Sequence, residues 1–399
     1  MQAIIMVAGK STRTYPLTLT RPKPLLPILN RPLIYYNLDQ LVGLVDEIIL
    51  IVGYRKEMIE RELGREYRGI RLIYQEQEEQ LGTGHAVLLA APHVKGKCIA
   101  MNGDDLFARE DISRLLEFRF AALAMPVANP ELYGVYEVND EGLATNLIEK
   151  PRENIGNLAN VGCYILDTEI FDELEKTPKS ERGEIELTTA ILNISRREPF
   201  HVLSITGYWL PTGFPWDLLS TQNFMFSRNF EQSIAGTVER GAKLEGPIQL
   251  AGDSVIQNGA EVLGPVSIAS GCNISSSARI GPYSSLGKGV RIGAASHIEQ
   301  SIIMDGSRIG PGSSIAYSVL GEGVILDRDC LLSHTSRDDE SVKSRVKGQV
   351  IDSGLRHLGA TLGDKVVLAQ GNRVAAGCKL WPGIHTEADQ VIEHDLTAD

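Results

Sequence analysis

The chain of 399 residues carries only five cysteines, and no two of them form a C-x-x-C pair. Cys98, Cys163, Cys272, Cys330 and Cys378 are scattered and odd in number, which argues against a disulfide framework or a zinc site and for buried thiols in a reducing cytoplasm. No apolar run reaches the ~18 residues that a membrane span requires. The N-terminus has no charged segment followed by a small-residue cleavage site. The expectation is a cytoplasmic protein with no membrane partner. Basic charge is also short: 39 Lys and Arg face 51 Asp and Glu, a net charge of −12. A polyanion is repelled overall, and aromatic and basic residues are not interleaved, so nucleic acid is not an expected partner.

Two common nucleotide motifs are missing as well. The string GKS at 9–11 ends like a Walker A loop, but the position five before Gly9 is Ile4, inside an apolar run, where that loop needs glycine. A G-x-G-x-x-G fingerprint fails at Ser11 and Arg13.

What is present divides into two patterns. Over the first ~230 residues, apolar runs alternate with amphipathic stretches. AIIMVA (3–8), EIILIVG (47–53), RLIYQ (71–75) and KCIAMNG (97–103) read as strands, and PLIYYNLDQLVG (32–43), KEMIERELG (56–64) and HAVLLAA (85–91) as helices. That order predicts an α/β domain with a mainly parallel, Rossmann-like sheet covered on both faces. Ligands of such sheets bind beyond the carboxyl ends of the strands, where AGKSTR and GDD (103–105) fall. From Val238 an aliphatic residue recurs at every sixth position, through Leu244, Leu250, Ile256 and Val262 to Ile298, with small or β-branched residues four positions after each. Period six fits neither helix nor ordinary strand; it fits a coil with three flat faces, each giving one inward aliphatic. The expected architecture is therefore residues 1–230 as the α/β domain and 237–399 as a hexapeptide-repeat parallel β-helix. A polar loop at about 333–355 leaves the solenoid, and 224–236, helical at its start, joins the two.

The connection after the first strand is chemically loaded. Gly9 permits close backbone approach to a ligand. Lys10, Arg13, Arg21 and Lys23 place four positive charges near one sheet edge, and Pro16, Pro22, Pro24 and Pro27 stiffen the chain.

The stretch MVAGKSTRTYPLTLTRPKPLLPILNRPLI (6–34) resembles the signature loop of the sugar-phosphate nucleotidylyltransferases. QLGTGHA (80–86), GDD, IEKP (148–151), NVGCYIL (160–166) and YWLPTGFPWDLL (208–219) follow in that family's order. The solenoid resembles the second domain of its bifunctional uridylyltransferase–acetyltransferase members and their archaeal relatives, a left-handed β-helix. The resemblance implies transfer of a nucleotidyl group from UTP or dTTP to a hexose 1-phosphate (glucose 1-phosphate or N-acetylglucosamine 1-phosphate), with Mg²⁺ as cofactor and pyrophosphate released. It implies that Arg13 grips the triphosphate and Lys23 stabilises charge at the reacting phosphorus. Asp104 would hold Mg²⁺, with Asp105 in support. Ala8, Gly9, Gln77, Gly82 and Thr83 would bind the nucleotide, and Gly134, Glu149, Lys150 and Asn160 the sugar phosphate. A trimer-based assembly is the implied oligomer.

Three positions depart from that pattern. Ser11 stands where a second glycine is usual, so a positive φ there would be strained. Pro211 replaces a metal-binding aspartate two residues after Trp209, and Asp217 lies farther along. Pro311 and Ser314 stand where the acetyltransferase histidine and tyrosine are expected, and His357 replaces a lysine, so acetyl transfer is expected to be lost. The alternative reading is a silent regulatory or scaffolding paralogue that binds nucleotide sugar.

Overall fold

The structure is a computed structural model that describes residues 1–397 except 154, 229, 337 and 339. The chain folds into two compact units: Met1–Lys10 with Leu33–Pro211, and Ser11–Pro32 with Thr212–Asp399. This does not follow the linear boundary expected at about 230. The segment 11–32 belongs with the later part of the chain, to which its side chains are tied.

The first unit is built on a ten-stranded sheet. The strand Gln2–Met6 lies at its centre, parallel to Glu47–Val52 on one side and Cys98–Asn102 on the other. Ile70–Glu76 extends the parallel part. Leu158–Leu166, Gly134–Val138 and Ala144–Glu149 add antiparallel strands at the other end. Ile4, Ile49, Ile51, Cys98 and Ala100 are completely buried, as strands covered on both faces must be. The helices Leu33–Leu41, Lys56–Leu63 and Thr83–Leu88 fall where helical spacing places them.

The second unit is a left-handed parallel β-helix of three parallel sheets with eight, seven and eight strands. The hexad aliphatics form its core: Val238 pairs with Ile256 and Ile256 with Ile274, three hexads apart, so each face recurs once per coil. The small residues sit at the corners for a physical reason. The hydroxyls of Ser254, Ser296, Ser307 and Ser313 donate to backbone carbonyls of the following coil at 2.6–3.1 Å, satisfying groups that a larger side chain would exclude. The slip in register near 300 is a coil one residue short, Leu286 pairing with Ile303.

The first rung is Ser233–Ile234 against Gln249–Leu250, ahead of position 237. The helix before it, Asp217–Ser227, is fixed to the solenoid by Gln222, which donates to the Tyr283 carbonyl (3.0 Å) and accepts from Ser285 Oγ (2.6 Å). Within the expected loop at 333–355 the chain forms an antiparallel hairpin, Lys343–Val346 with Gln349–Asp352. All five cysteines are free and buried, and burial pushes the Cys98 thiol up to about 12. Among the described residues no helix is long and apolar enough to cross a membrane.

Candidate active site

In the first unit, two candidate segments leave the carboxyl ends of neighbouring parallel strands. Met6 pairs with Asn102, and the Gly103 N–H donates to the Met6 carbonyl at 3.0 Å, so Val7–Gly9 and Gly103–Asp105 start side by side. Gly103 cannot carry a side chain, because a Cβ would fall 2.3 Å from Val7 Cγ1. Gly9 is the opposite case: a Cβ there would meet nothing within 4 Å. Its smallness is not demanded by the protein's own packing.

Asp104 is half-buried at this edge. Asp105 is tied into the fold: its Oδ2 accepts from Trp209 Nε1 (3.1 Å), and its carbonyl accepts from Asn37 Nδ2 (2.7 Å). Gln80 Nε2 donates to the Ala8 carbonyl at 2.9 Å, a contact that the sequence did not signal. Gln77 is buried, and its amide N–H donates to the Gly82 carbonyl (3.1 Å) beside His85 Nδ1 (3.1 Å). Gly82 has φ +96° and a Cβ would lie 2.8 Å from the Ile185 carbonyl, so only glycine fits where the chain enters the helix at Thr83.

The proposed sugar-phosphate residues converge. A Cβ on Gly134 would lie 3.0 Å from Glu149 Oε2 and 3.5 Å from Asn160 Cβ, although the three stand on different strands. Asn160 is oriented by donating to the Tyr164 hydroxyl (2.7 Å) and accepting from the Gly162 N–H (3.2 Å). Burial raises the Glu149 carboxyl, and Arg182 at 3.6 Å draws it back down. Arg182, which also pairs with Glu186 (2.7 Å), carried no sequence signal. Lys150 has φ +49°, and its N–H donates to the Tyr133 carbonyl (2.8 Å).

In the second unit, the signature loop is tied to the solenoid. Arg21 is buried and forks between Asp364, at 2.5 Å, and Glu322. Asn30 Nδ2 donates to the Ser267 carbonyl and hydroxyl at 3.2 and 3.0 Å. These contacts explain why 11–32 groups with 212–399. Of the four positive charges noted after the first strand, Arg21 is committed to two carboxylates. Ser11 has φ +49° and ψ +52°, the left-handed conformation foreseen as a strain, and its carbonyl accepts from Thr14 N–H (3.0 Å) and Thr18 Oγ1 (2.9 Å).

Lys23 is only 3% exposed, whereas Arg13 is exposed, with its guanidinium 5.6 Å from the Phe214 ring centre. Asp217 lies near both. Burial pushes its carboxyl up to about 6, opposed by the Phe214 N–H it accepts (2.7 Å) and by the charges of Lys23 and Arg13. The sequence showed Asp217, but not that it is buried or that it neighbours those cations.

Residues 2–228 match the family described as Nucleotidyl transferase, and residues 262–353 match a GMPPB C-terminal domain. The chain is 40% identical, over 99% of its length and 95% of the relative's, to a "Bifunctional protein GlmU" of Methanococcus maripaludis. It is 33% identical, over 98% of both chains, to a "Bifunctional sugar-1-phosphate nucleotidylyltransferase/acetyltransferase" of Sulfurisphaera tokodaii. It is 35% identical over 54% of its length, and 93% of the relative's, to "UTP--glucose-1-phosphate uridylyltransferase AglF" of Haloferax volcanii. A solved UDP-glucose pyrophosphorylase with UDP-glucose shares the fold over 57% of this chain and 99% of that one, at TM-score 0.52 and 24% identity.

Proposed function

The chain belongs to the nucleotidyl transferase family, and from that premise we propose that it joins UTP or dTTP to a hexose 1-phosphate and releases pyrophosphate. A non-bridging oxygen of the sugar phosphate attacks the α-phosphorus, and the bond to the oxygen bridging the β-phosphorus breaks. Two anions must meet, so the protein's task is neutralisation and alignment. The exposed guanidinium of Arg13 holds the triphosphate. Lys23, buried beside Asp217, offsets charge growing at the reacting phosphorus. Gln77 and Gly82–Thr83 orient the base, with Ala8 and Gly9 giving backbone approach. Glu149 accepts from sugar hydroxyls, Asn160 and Gly134 bound that pocket, and Lys150 takes the sugar's phosphate.

Asp104 fits a magnesium ion: it offers a hard oxygen at a strand end, and Mg²⁺ needs only one or two carboxylates besides water and substrate phosphate. When bound, the ion supplies positive charge to the phosphates. The observation that carries the reading is the meeting of Gly134, Glu149 and Asn160 from three strands at the positions assigned to the sugar phosphate.

The relatives' names support the substrate class: one is a UTP–glucose-1-phosphate enzyme and another a sugar-1-phosphate nucleotidylyltransferase. Pyrophosphate release, measured with each nucleoside triphosphate against a panel of hexose 1-phosphates at millimolar Mg²⁺, tests it. Turnover is expected with UTP or dTTP and is abolished by Asp104→Ala; no release with any pair overturns it. A second reading, a silent nucleotide-sugar binder, is favoured by Pro211. Pro211→Asp decides between them: a gain of tenfold or more from an inert start marks a site disabled by one missing ligand.

The β-helix is assigned no acetyl transfer. Pro311 and Ser314 offer no general base, worth roughly 10²–10⁴-fold. In their neighbourhood Tyr317 packs its ring 5.0 Å from His334 and 5.0 Å from His357, whose Nδ1 atoms face each other at 3.2 Å. Acetylation of glucosamine 1-phosphate by acetyl-CoA with the purified protein overturns that assignment. The β-helix is instead assigned to assembly in trimers, which light scattering tests.

A further inference from the structure

The second unit holds a cavity of about 480 Å³ whose lining, apart from Arg13, has no part in these roles. Its volume is that of a small-molecule site. The loop residues Thr12 and Tyr15 form one wall, and the hairpin tip and the last coils form the others.

Its charge is opposite to the chain's. Arg13, Arg345, Lys347 and Lys379 line it with His394, and among the described residues Asp395 is the one lining carboxylate, in a protein of net charge −12. Asp395 offsets only part of that charge: it accepts the Lys379 backbone N–H (2.9 Å), and burial raises its carboxyl against the pull of Lys379, Arg345 and His394. Lys379 is 2% exposed. Among the described residues its ammonium has one hydrogen-bond acceptor, the Arg345 carbonyl at 2.8 Å, and it lies 5.6 Å from the Trp216 ring centre. Burial pushes it down to about 8, so a second anionic acceptor would favour the charged form.

Lys347 and Gly348 form the two-residue turn of the hairpin, with φ +49° and +80°. That turn favours Asn-Gly or Gly-Gly. Here the first of the two is lysine, which puts an exposed cation at the hairpin tip. The remaining wall is apolar: Tyr15, Val346 and Trp381. Cations together with aromatic rings in one cavity are the complement of a phosphate ester joined to a flat base.

We propose that this cavity binds a nucleoside phosphate, with Arg345, Lys347 and Lys379 on the phosphates and Trp381 and Tyr15 against the base. Arg13 lines the same space, and its guanidinium continues through the stacked rings of Phe214 and Trp216 (4.6 Å apart) to Lys379. Occupancy therefore alters the group assigned to the triphosphate. That consequence rests on the proposed function, whereas the binding itself does not.

The test is calorimetric titration of the full chain with ADP, whose purine is not the pyrimidine assigned to Gln77. Wild type binds ADP. The double variant Arg345→Glu/Lys347→Glu, exposed and outside the catalytic set, weakens it at least tenfold without changing turnover measured in the absence of ADP. Lys379→Met, which keeps the buried volume and removes the charge, does the same if it folds. Ribose 5-phosphate, lacking the base, binds at least tenfold more weakly than ADP. Equal ADP affinity in wild type and the double variant, or no binding by wild type at millimolar ADP, overturns the proposal; equal affinity for ribose 5-phosphate overturns the role of the base. Loss of ADP binding in the double variant, with no nucleotidyl transfer by any form, sinks the catalytic reading and leaves this one standing.

Discussion

Arg21 donates to Asp364 at 2.5 Å across 343 positions of sequence, and both side chains are nearly closed to water, at 8% and 12% exposure. A buried ion pair adds little over a hydrophobic pair, but breaking one leaves an uncompensated charge. Asp364→Ala is therefore expected to cost about 3–5 kcal/mol. Glu322 remains as a partner for Arg21 and keeps the loss toward the lower end. Chemical denaturation followed by a probe in the second unit measures it; a change under ~0.5 kcal/mol would mean that the pair does not hold the loop.

Gly9 separates folding from function. Since a Cβ there meets nothing within 4 Å, Gly9→Ala should leave the melting temperature unchanged within a degree or so. If the backbone at this point approaches the nucleotide, the same change raises KM for the triphosphate or lowers kcat at least tenfold. Full activity in the alanine variant would remove Gly9 from the nucleotide contact.

Ser11 gives the converse experiment. Its left-handed backbone costs roughly 1–2 kcal/mol for a residue with a side chain. Ser11→Gly removes that and adds chain entropy to the unfolded state, so a net gain of about 0.5–1 kcal/mol is expected. A loss of stability would show that the serine hydroxyl makes a contact worth more than the strain.

Asp217 predicts a pH dependence with a definite sign. Its carboxyl titrates at about 6 when folded, against the ordinary aspartate value of 3.8, so between those values the unfolded chain releases its proton first. This group's contribution is fully favourable below 3.8 and is lost as pH rises through 6. A shift of about two units corresponds to about 3 kcal/mol. Asp217→Asn retains an oxygen for the Phe214 N–H. Its stability relative to wild type should climb between pH 4 and 7 and then level off. A constant difference across that range would place the raised carboxyl elsewhere.

The solenoid was legible in the sequence because a repeat of six states its geometry outright: each aliphatic predicts its own face. The parallel strands were legible because Ile4, Ile49 and Ala100 sit in short apolar runs too long for turns and too short for helices. The proposed sugar-phosphate pocket could be reached only through resemblance, since nothing local to Gly134, Glu149 or Asn160 announces that three strands bring them together. The pairing of Arg21 was not legible, because its carboxylates lie 301 and 343 positions on. The hairpin at 343–352 was hidden by polarity; its one cue was Lys347-Gly348, a weak form of the two-residue turn.

The allegiance of 11–32 to the second unit has a consequence for synthesis. The segment leaves the ribosome well before Asp364, which is made 343 residues after Arg21. At about 5–20 residues per second, Arg21 waits roughly 20–70 s for its counter-charge. Any chain that stops short of the last coils carries the signature sequence without the means to hold it. Completion of the C-terminal coils thus acts as a checkpoint: a ribosome-stalled or truncated product is expected to be an idle one. Trimming or exchanging the last coils removes Asp364, and with it one of the ties that hold the loop proposed to bind phosphate.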